Sequence, residues 1–183
     1  MTRFMEQPID QTGLRAAYSP DGYIVDQARI TDVPYGCRPS SQNGCGWIGV
    51  FNLLKALGTP VPYQEVVEAL AKRSLFRGRF GTSPWRIHRY LKKQGWPMRW
   101  ALGKKRAIAA SERTEAGILI YRHSGGWHFV AFQRRDSGLL RFYNAVAGAY
   151  EHDRTMEEFL KEQNRAKIVW LMYREGRSPE SMD

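Results

Sequence analysis

Apolar residues recur at helical spacing in the first half of the chain and alternate like strand residues after about residue 98. The run from Cys45 to Leu57 carries a single charge, Lys55, which predicts a helix buried on most sides, ended by Gly58 at the C′ position. Gln64 to Ser74 reads as an amphipathic helix with Val67, Leu70 and Ala71 on one face. Ser83-Pro84 opens a third helix, with serine as N-cap and proline in the first turn, and Gly95 closes it. Beyond it the pattern predicts strands at Met98–Leu102, Gly117–Tyr121, Trp127–Gln133, Leu139–Asn144 and Lys167–Tyr173, with a short helix near Lys104–Ser111. Thr155-Met156-Glu157-Glu158 is a capping box for a last helix reaching about Gln163. Helices followed by strands describe an α+β fold, a buried central helix packed on a C-terminal antiparallel sheet. Residues 1–36 show no sustained period and read as an extended arm with a short strand at Gly22-Tyr23-Ile24-Val25. A domain at 37–175 and a flexible tail at 176–183 complete the division.

A chain of 183 residues, 43% apolar and 25% charged, has the size and balance of one globular domain. No apolar stretch approaches the roughly 18–20 residues of a membrane span, and Met1–Pro8 lacks the features of a secretory signal. A cytoplasmic location is the expectation. Two cysteines, Cys37 and Cys45, make no disulfide framework, and no Cys or His pairs have zinc-ligand spacing, so a structural metal is not expected. A Cys37–Cys45 bridge would consume the thiol of Cys45. The net charge of +10, with clusters at Lys72-Arg73, Arg77, Arg79, Lys104-Lys105-Arg106 and Arg134-Arg135, favours partners with acidic surfaces. No zinc finger, ribonucleoprotein strand motif or glycine clamp directs that charge to nucleic acid, which is not the expected partner.

Cys45 stands at the start of the central helix, where the helix dipole favours thiolate and lowers the thiol pKa from about 8.5. Gly44 and Gly46 strip bulk from around it. Trp127–Gln133 and Leu139–Asn144 flank a turn-rich pentapeptide and should form a hairpin, in which His128 and Asn144 are equidistant from Asp136. Residues so placed stand opposite each other with Cβ atoms about 4.5–5.5 Å apart, so the Asn144 amide oxygen can orient the imidazole toward the thiol. The Cys45 backbone N–H and a side-chain amide, Gln42 first and Asn43 second, are candidate oxyanion donors. His88 reads as a surface residue, His123 as a rival base and His152 as part of a charged loop. Cys37 lies in a loop without a helix start.

With Cys45-Gly46 at a buried helix start, Trp127-His128-Phe129-Val130 on a strand and Asn144 closing the next, residues 37–173 resemble the papain-like cysteine peptidases. Within them the chain is most similar to the compact bacterial branch that includes the bacteriocin leader-processing, double-glycine peptidases. The resemblance implies Cys45 as nucleophile, His128 as base and Asn144 as orienting residue of a cofactor-free amide hydrolase acting on a peptide or protein through a thioester. The family's oxyanion glutamine position is occupied here by Pro39, leaving Gln42 as the nearest glutamine. Trp47 stands where proline often follows Cys-Gly. Gly125-Gly126 beside His128 would suit a glycine-preferring peptidase. The same residues serve deamidation and acyl transfer. A non-catalytic binding module using the basic face is the other reading, with Trp85, Trp96 and Trp100 among Arg86, Arg89 and Arg99 available for stacking, although these tryptophans fall at core-like positions.

Overall fold

A computed structural model of the protein describes residues 12–71, 81–123, 126–145, 151–163 and 168–176, with the backbone alone described at His123, Glu151 and His152. In chain order the elements are α1 (Thr12–Ala16), a 3-10 turn (Gln27–Arg29), β1 (Pro34–Tyr35), β2 (Arg38–Pro39), α2 (Ser40–Asn43), α3 (Cys45–Ala56), α4 (Tyr63–Ala71), α5 (Pro84–Lys93), β3 (Arg99–Leu102), α6 (Lys104–Ser111), β4 (Thr114–His123), β5 (Gly126–Arg134), β6 (Leu140–Tyr143), β7 (Glu151–Arg154), α7 (Met156–Glu162) and β8 (Val169–Glu175). The fold is α+β. Its main sheet has the order β3-β8-β4-β5-β6-β7, with every neighbouring pair antiparallel.

The low charge of α3 has the expected consequence: Gly46 through Leu54 are buried without interruption. Each large apolar side chain in that run contributes about 1.5–3 kcal/mol by leaving water, before the cost of ordering it. The helix lies close on the sheet at Gly49, where a Cβ would be 3.6 Å from Phe129 Cβ. On the other face α6 and α7 bring Ala107, Ala110, Met156, Phe159 and Leu160 against Val130, Phe132, Phe142 and Leu171. Covered on both faces, the central strands read as apolar runs such as Ile118-Leu119-Ile120.

The N-terminal arm departs from the extended expectation. Its described part forms α1, a Tyr18–Ile24 bridge and the 3-10 turn, and buries Leu14, Ala17, Ile24, Ile30 and Val33 in the same core as α3. Asn52, fully buried within α3, ties the two together: its side chain accepts from the Ile24 amide at 2.9 Å and donates to the Ile24 carbonyl at 2.7 Å. A polar residue in the middle of an apolar helix is thereby satisfied by the one segment whose pattern was least regular.

The β5–β6 hairpin also differs from the register read in the sequence. Its ladder runs from Ala131↔Tyr143 to Arg134↔Leu140 and centres on Ser137, not Asp136. Gly138, at φ 82°, adds a left-handed residue after a turn closed by the Gly138 N–H to Arg135 carbonyl bond, making a three-residue loop. Asn144 leaves the ladder at φ 61° and is not the cross-strand partner of His128. Glu151–Arg154, read as a charged loop around His152, is the edge strand β7; Arg141 holds Asp153 with two bonds of 2.7 Å.

Of the basic clusters, Lys104, Lys105 and Arg106 are exposed on α6. Arg134 is instead occupied internally, donating to the carbonyls of Ser111, Thr114 and Gly138. Lys72, Arg73, Arg77 and Arg79 lie outside the described residues, as do the predicted end of the second helix at Ser74, Gly125, Lys167 and the tail beyond Gly176. Among the described residues no helix is long and apolar enough to cross a membrane.

Candidate active site

Two adjoining helices position Cys45. α2 ends at Asn43, and Gly44 caps it while opening α3, so Cys45 occupies the first position of α3. The glycines on either side are required by packing inside the protein. A Cβ at Gly44 would stand 2.5 Å from the Ser40 carbonyl oxygen, and one at Gly46 would stand 2.7 Å from both Cβ and Oγ1 of Thr82. Thr82 is itself held by a hydrogen bond with the Tyr35 hydroxyl.

Cys45, half-buried as a residue, lines a pocket of about 540 Å³. Gln42, Asn43 and Thr82 border it on one side; Trp85, Trp127 and Trp170 form its walls. Trp85, read as a core position, is 62% exposed, and Trp127 is 42% exposed. No periodic signal separates such a wall from a core position, because both are large apolar residues on regular elements. Gln42 is exposed in α2, its Oε1 3.4 Å from Arg38 Nη1, and Asn43 is buried beside it.

Desolvation governs the thiol. Burial pushes Cys45 up to about 11, outweighing the backbone amides of Phe129, Gly46 and Cys45 that point at the sulfur and favour thiolate. The lowered value expected from the helix start is therefore reversed: the amides are present, but the sulfur has lost too much water. Cys37 and Cys45 are both free thiols, Cys37 being exposed.

Sγ lies 4.0 Å from the Trp127 carbonyl oxygen, and the Phe129 amide also points at it. It therefore rests against the strand edge on both sides of His128, whose Cα is within about 7 Å by ordinary bond lengths. The imidazole is turned elsewhere. Alternation places Phe129 and Ala131 on the α3 face and His128 with Val130 and Phe132 on the other, where its ring meets Tyr121 edge-on at 5.9 Å. Sγ and the imidazole are neighbours across one strand edge without a hydrogen bond between them.

His128 and Asn144 do meet, by different atoms from those expected. The His128 Nε2 proton goes to the Asn144 backbone carbonyl at 2.8 Å. The Asn144 side chain bonds Gln27 instead, accepting from its amide N–H at 2.9 Å and donating to its Oε1 at 3.2 Å. Gln27 Nε2 in turn donates to the Ser41 carbonyl at 3.3 Å, joining the arm to α2. Nothing in the irregular sequence of the arm marked Gln27. Elsewhere, His88 is part-buried, its Nε2 3.1 Å from the Met98 carbonyl, so it is not a simple surface residue. The side chains of His123 and His152 lie outside the described residues.

Among the described residues no group of three or more His, Cys, Asp or Glu is placed to hold a metal ion. No family model matches the chain, and no curated protein matches it in sequence.

Proposed function

We propose that the protein is a cysteine-dependent amide hydrolase, a peptidase of papain-like type, with Cys45 as nucleophile and His128 as base. The observation that carries this reading is that Cys45 lines an open pocket with its Sγ against the backbone on both sides of His128. Because Nε2 donates to the Asn144 carbonyl, the neutral ring carries its basic lone pair on Nδ1. Reaction begins with the imidazole turning from Tyr121 toward the sulfur as substrate fills the pocket; catalytic hydrogen bonds commonly tighten only in the substrate complex. The thiol proton passes to Nδ1 as sulfur bonds the amide carbon. The imidazolium then protonates the leaving amine, and water, deprotonated by the same ring, hydrolyses the thioester and restores the thiol. The amides of Cys45 and Gly46, with Gln42 or Asn43 beside them, supply donors for the oxyanion.

The tryptophan walls suit residues bulkier than the glycine pair of the leader-processing branch, and the charge of +10 suits an acidic peptide or protein. Two free cysteines suit a reducing compartment such as the cytoplasm.

One observation favours a second reading, a binding module of the same fold: a thiol held near 11 by burial is protonated and inert at neutral pH. Mass analysis of peptide mixtures incubated with the protein separates the readings. Cleavage lost in both Cys45→Ala and His128→Ala supports the peptidase; a mass gain of deamidation or transfer assigns the same residues another reaction. Unchanged peptides across mixtures that bind the pocket would establish the binding module.

A further inference from the structure

A second pocket, also of about 540 Å³, lies between α4 and α5 and takes no part in the chemistry above. Ala69 and Leu70 of α4 face Arg86, Arg89, Tyr90 and Lys93 of α5 across it. The three cations stand at i, i+3 and i+7, so the helix presents them along one stripe with Tyr90 among them. None has an ion-pair partner among the described residues.

Two donors on this stripe are incomplete. Arg86 Nη1 and the Tyr90 hydroxyl are both buried from solvent without a hydrogen-bond partner among the described residues. Buried polar atoms are almost always paired, and here two that lack partners belong to side chains lining the same cationic pocket. Burial raises the Tyr90 phenol above its ordinary value, opposed by the Gln94 amide, which makes no hydrogen bond of normal geometry to it, and reinforced by Glu65 from α4. Tyr90 is therefore a hydroxyl, able to donate, at neutral pH. The group that completes such a site is an acceptor with negative charge, and a guanidinium matches the planar geometry of an oxyanion. The walls of Leu70 and the Tyr90 ring leave room for more than an inorganic ion.

We propose that this pocket binds a small organic anion, its phosphate or carboxylate group taken by the Arg86 guanidinium beside the Tyr90 hydroxyl, with Arg89 and Lys93 at the mouth and an apolar body against Leu70. The site is separate from Cys45 and does not depend on amide hydrolysis.

Calorimetric titration of the full chain with phenyl phosphate, benzoate, inorganic phosphate and the neutral benzyl alcohol tests it. At least one organic anion is expected to bind about tenfold or more tighter than benzyl alcohol, and the tighter of the two names the oxyanion. Arg86→Met is expected to weaken that anion by about tenfold or more, and Tyr90→Phe by a smaller factor, as loss of a charged and a neutral hydrogen bond respectively. Because Arg86 is partly buried, the exposed Lys93→Gln variant provides a second measurement: the anion should raise the melting temperature of the unmodified protein more than that of Lys93→Gln. Absence of binding by both organic anions at millimolar concentration, equal binding of benzyl alcohol, or unchanged affinity in folded Arg86→Met overturns the proposal.

Discussion

The Asn144 carbonyl oxygen accepts the His128 Nε2 proton at 2.8 Å while the Asn144 side chain is committed to Gln27. A backbone carbonyl orients an imidazole as a side-chain amide does, and it persists whatever side chain residue 144 carries. At φ 61° that residue has a conformation glycine adopts without strain. Asn144→Gly is expected to keep the Nε2–H tautomer, read from imidazole nitrogen chemical shifts, and to keep turnover within about tenfold. Asn144→Ala should lose about 1–2 kcal/mol of stability to left-handed strain. A switch to the Nδ1–H tautomer in Asn144→Gly would return the orienting role to the side chain.

Gly46 and Gly49 sit one turn apart in α3 but in unlike surroundings. A Cβ at 46 would be 2.7 Å from Thr82, whereas one at 49 finds its nearest neighbour at 3.6 Å. Gly46→Ala should cost about 1–3 kcal/mol by overpacking. Gly49→Ala should be neutral or gain about 0.5–1 kcal/mol from helix propensity. Urea unfolding of both variants checks this; equal midpoints would mean that Thr82 gives way freely.

Cys45 predicts a pH dependence of known sign. Its folded pKa of about 11 lies above the roughly 8.5 of an unfolded cysteine, so the folded state retains a proton that the unfolded state releases. The associated stability is complete below the unfolded value and is lost as pH rises from there through the folded value, a change on the order of 3 kcal/mol. Cys45→Ala should flatten this part of the stability profile. Alkylation of Cys45 by iodoacetamide should accelerate toward pH 11, and a plateau already reached at pH 7 would contradict burial as the dominant influence.

Arg141 lowers the Asp153 carboxyl below its ordinary value and pins the edge strand β7 to β6. The stability it contributes is present above the unfolded carboxyl value of about 3.9 and disappears as pH falls through the folded value. With the two side chains 26% and 34% exposed, solvent screens the pair. Asp153→Asn is expected to cost about 0.5–1 kcal/mol near pH 7 and less at pH 2. Urea midpoints at both pH values, with and without added salt, measure it.

Strong local signals translate directly into structure. A nearly charge-free run became the buried α3, Gly58 takes φ 74° after it, and the Thr155–Glu158 capping box is made. Lys104–Ser111 is a helix with the ends read from its residues. These depend on dihedral preference, capping and the amount of apolar surface, which neighbours along the chain decide. The strand β7 was hidden because its Asp153 is satisfied by an ion pair with Arg141 of β6, and such a partner leaves no period in β7 itself.

The same division runs through the site. Residue types and their order place a cysteine at the head of the central helix and a histidine on a strand beside it, since each follows from its own element. The direction of the thiol's pKa, the face from which His128 emerges, and the use of Asn144 through its carbonyl depend on atoms brought together over long separations. One left-handed residue, Gly138, moves the hairpin register. Burial in the fold strips water from the sulfur, and an arm without pattern delivers Gln27 to the Asn144 amide. Local preferences choose the elements; desolvation and register, which are sums over distant neighbours, choose what their side chains can do.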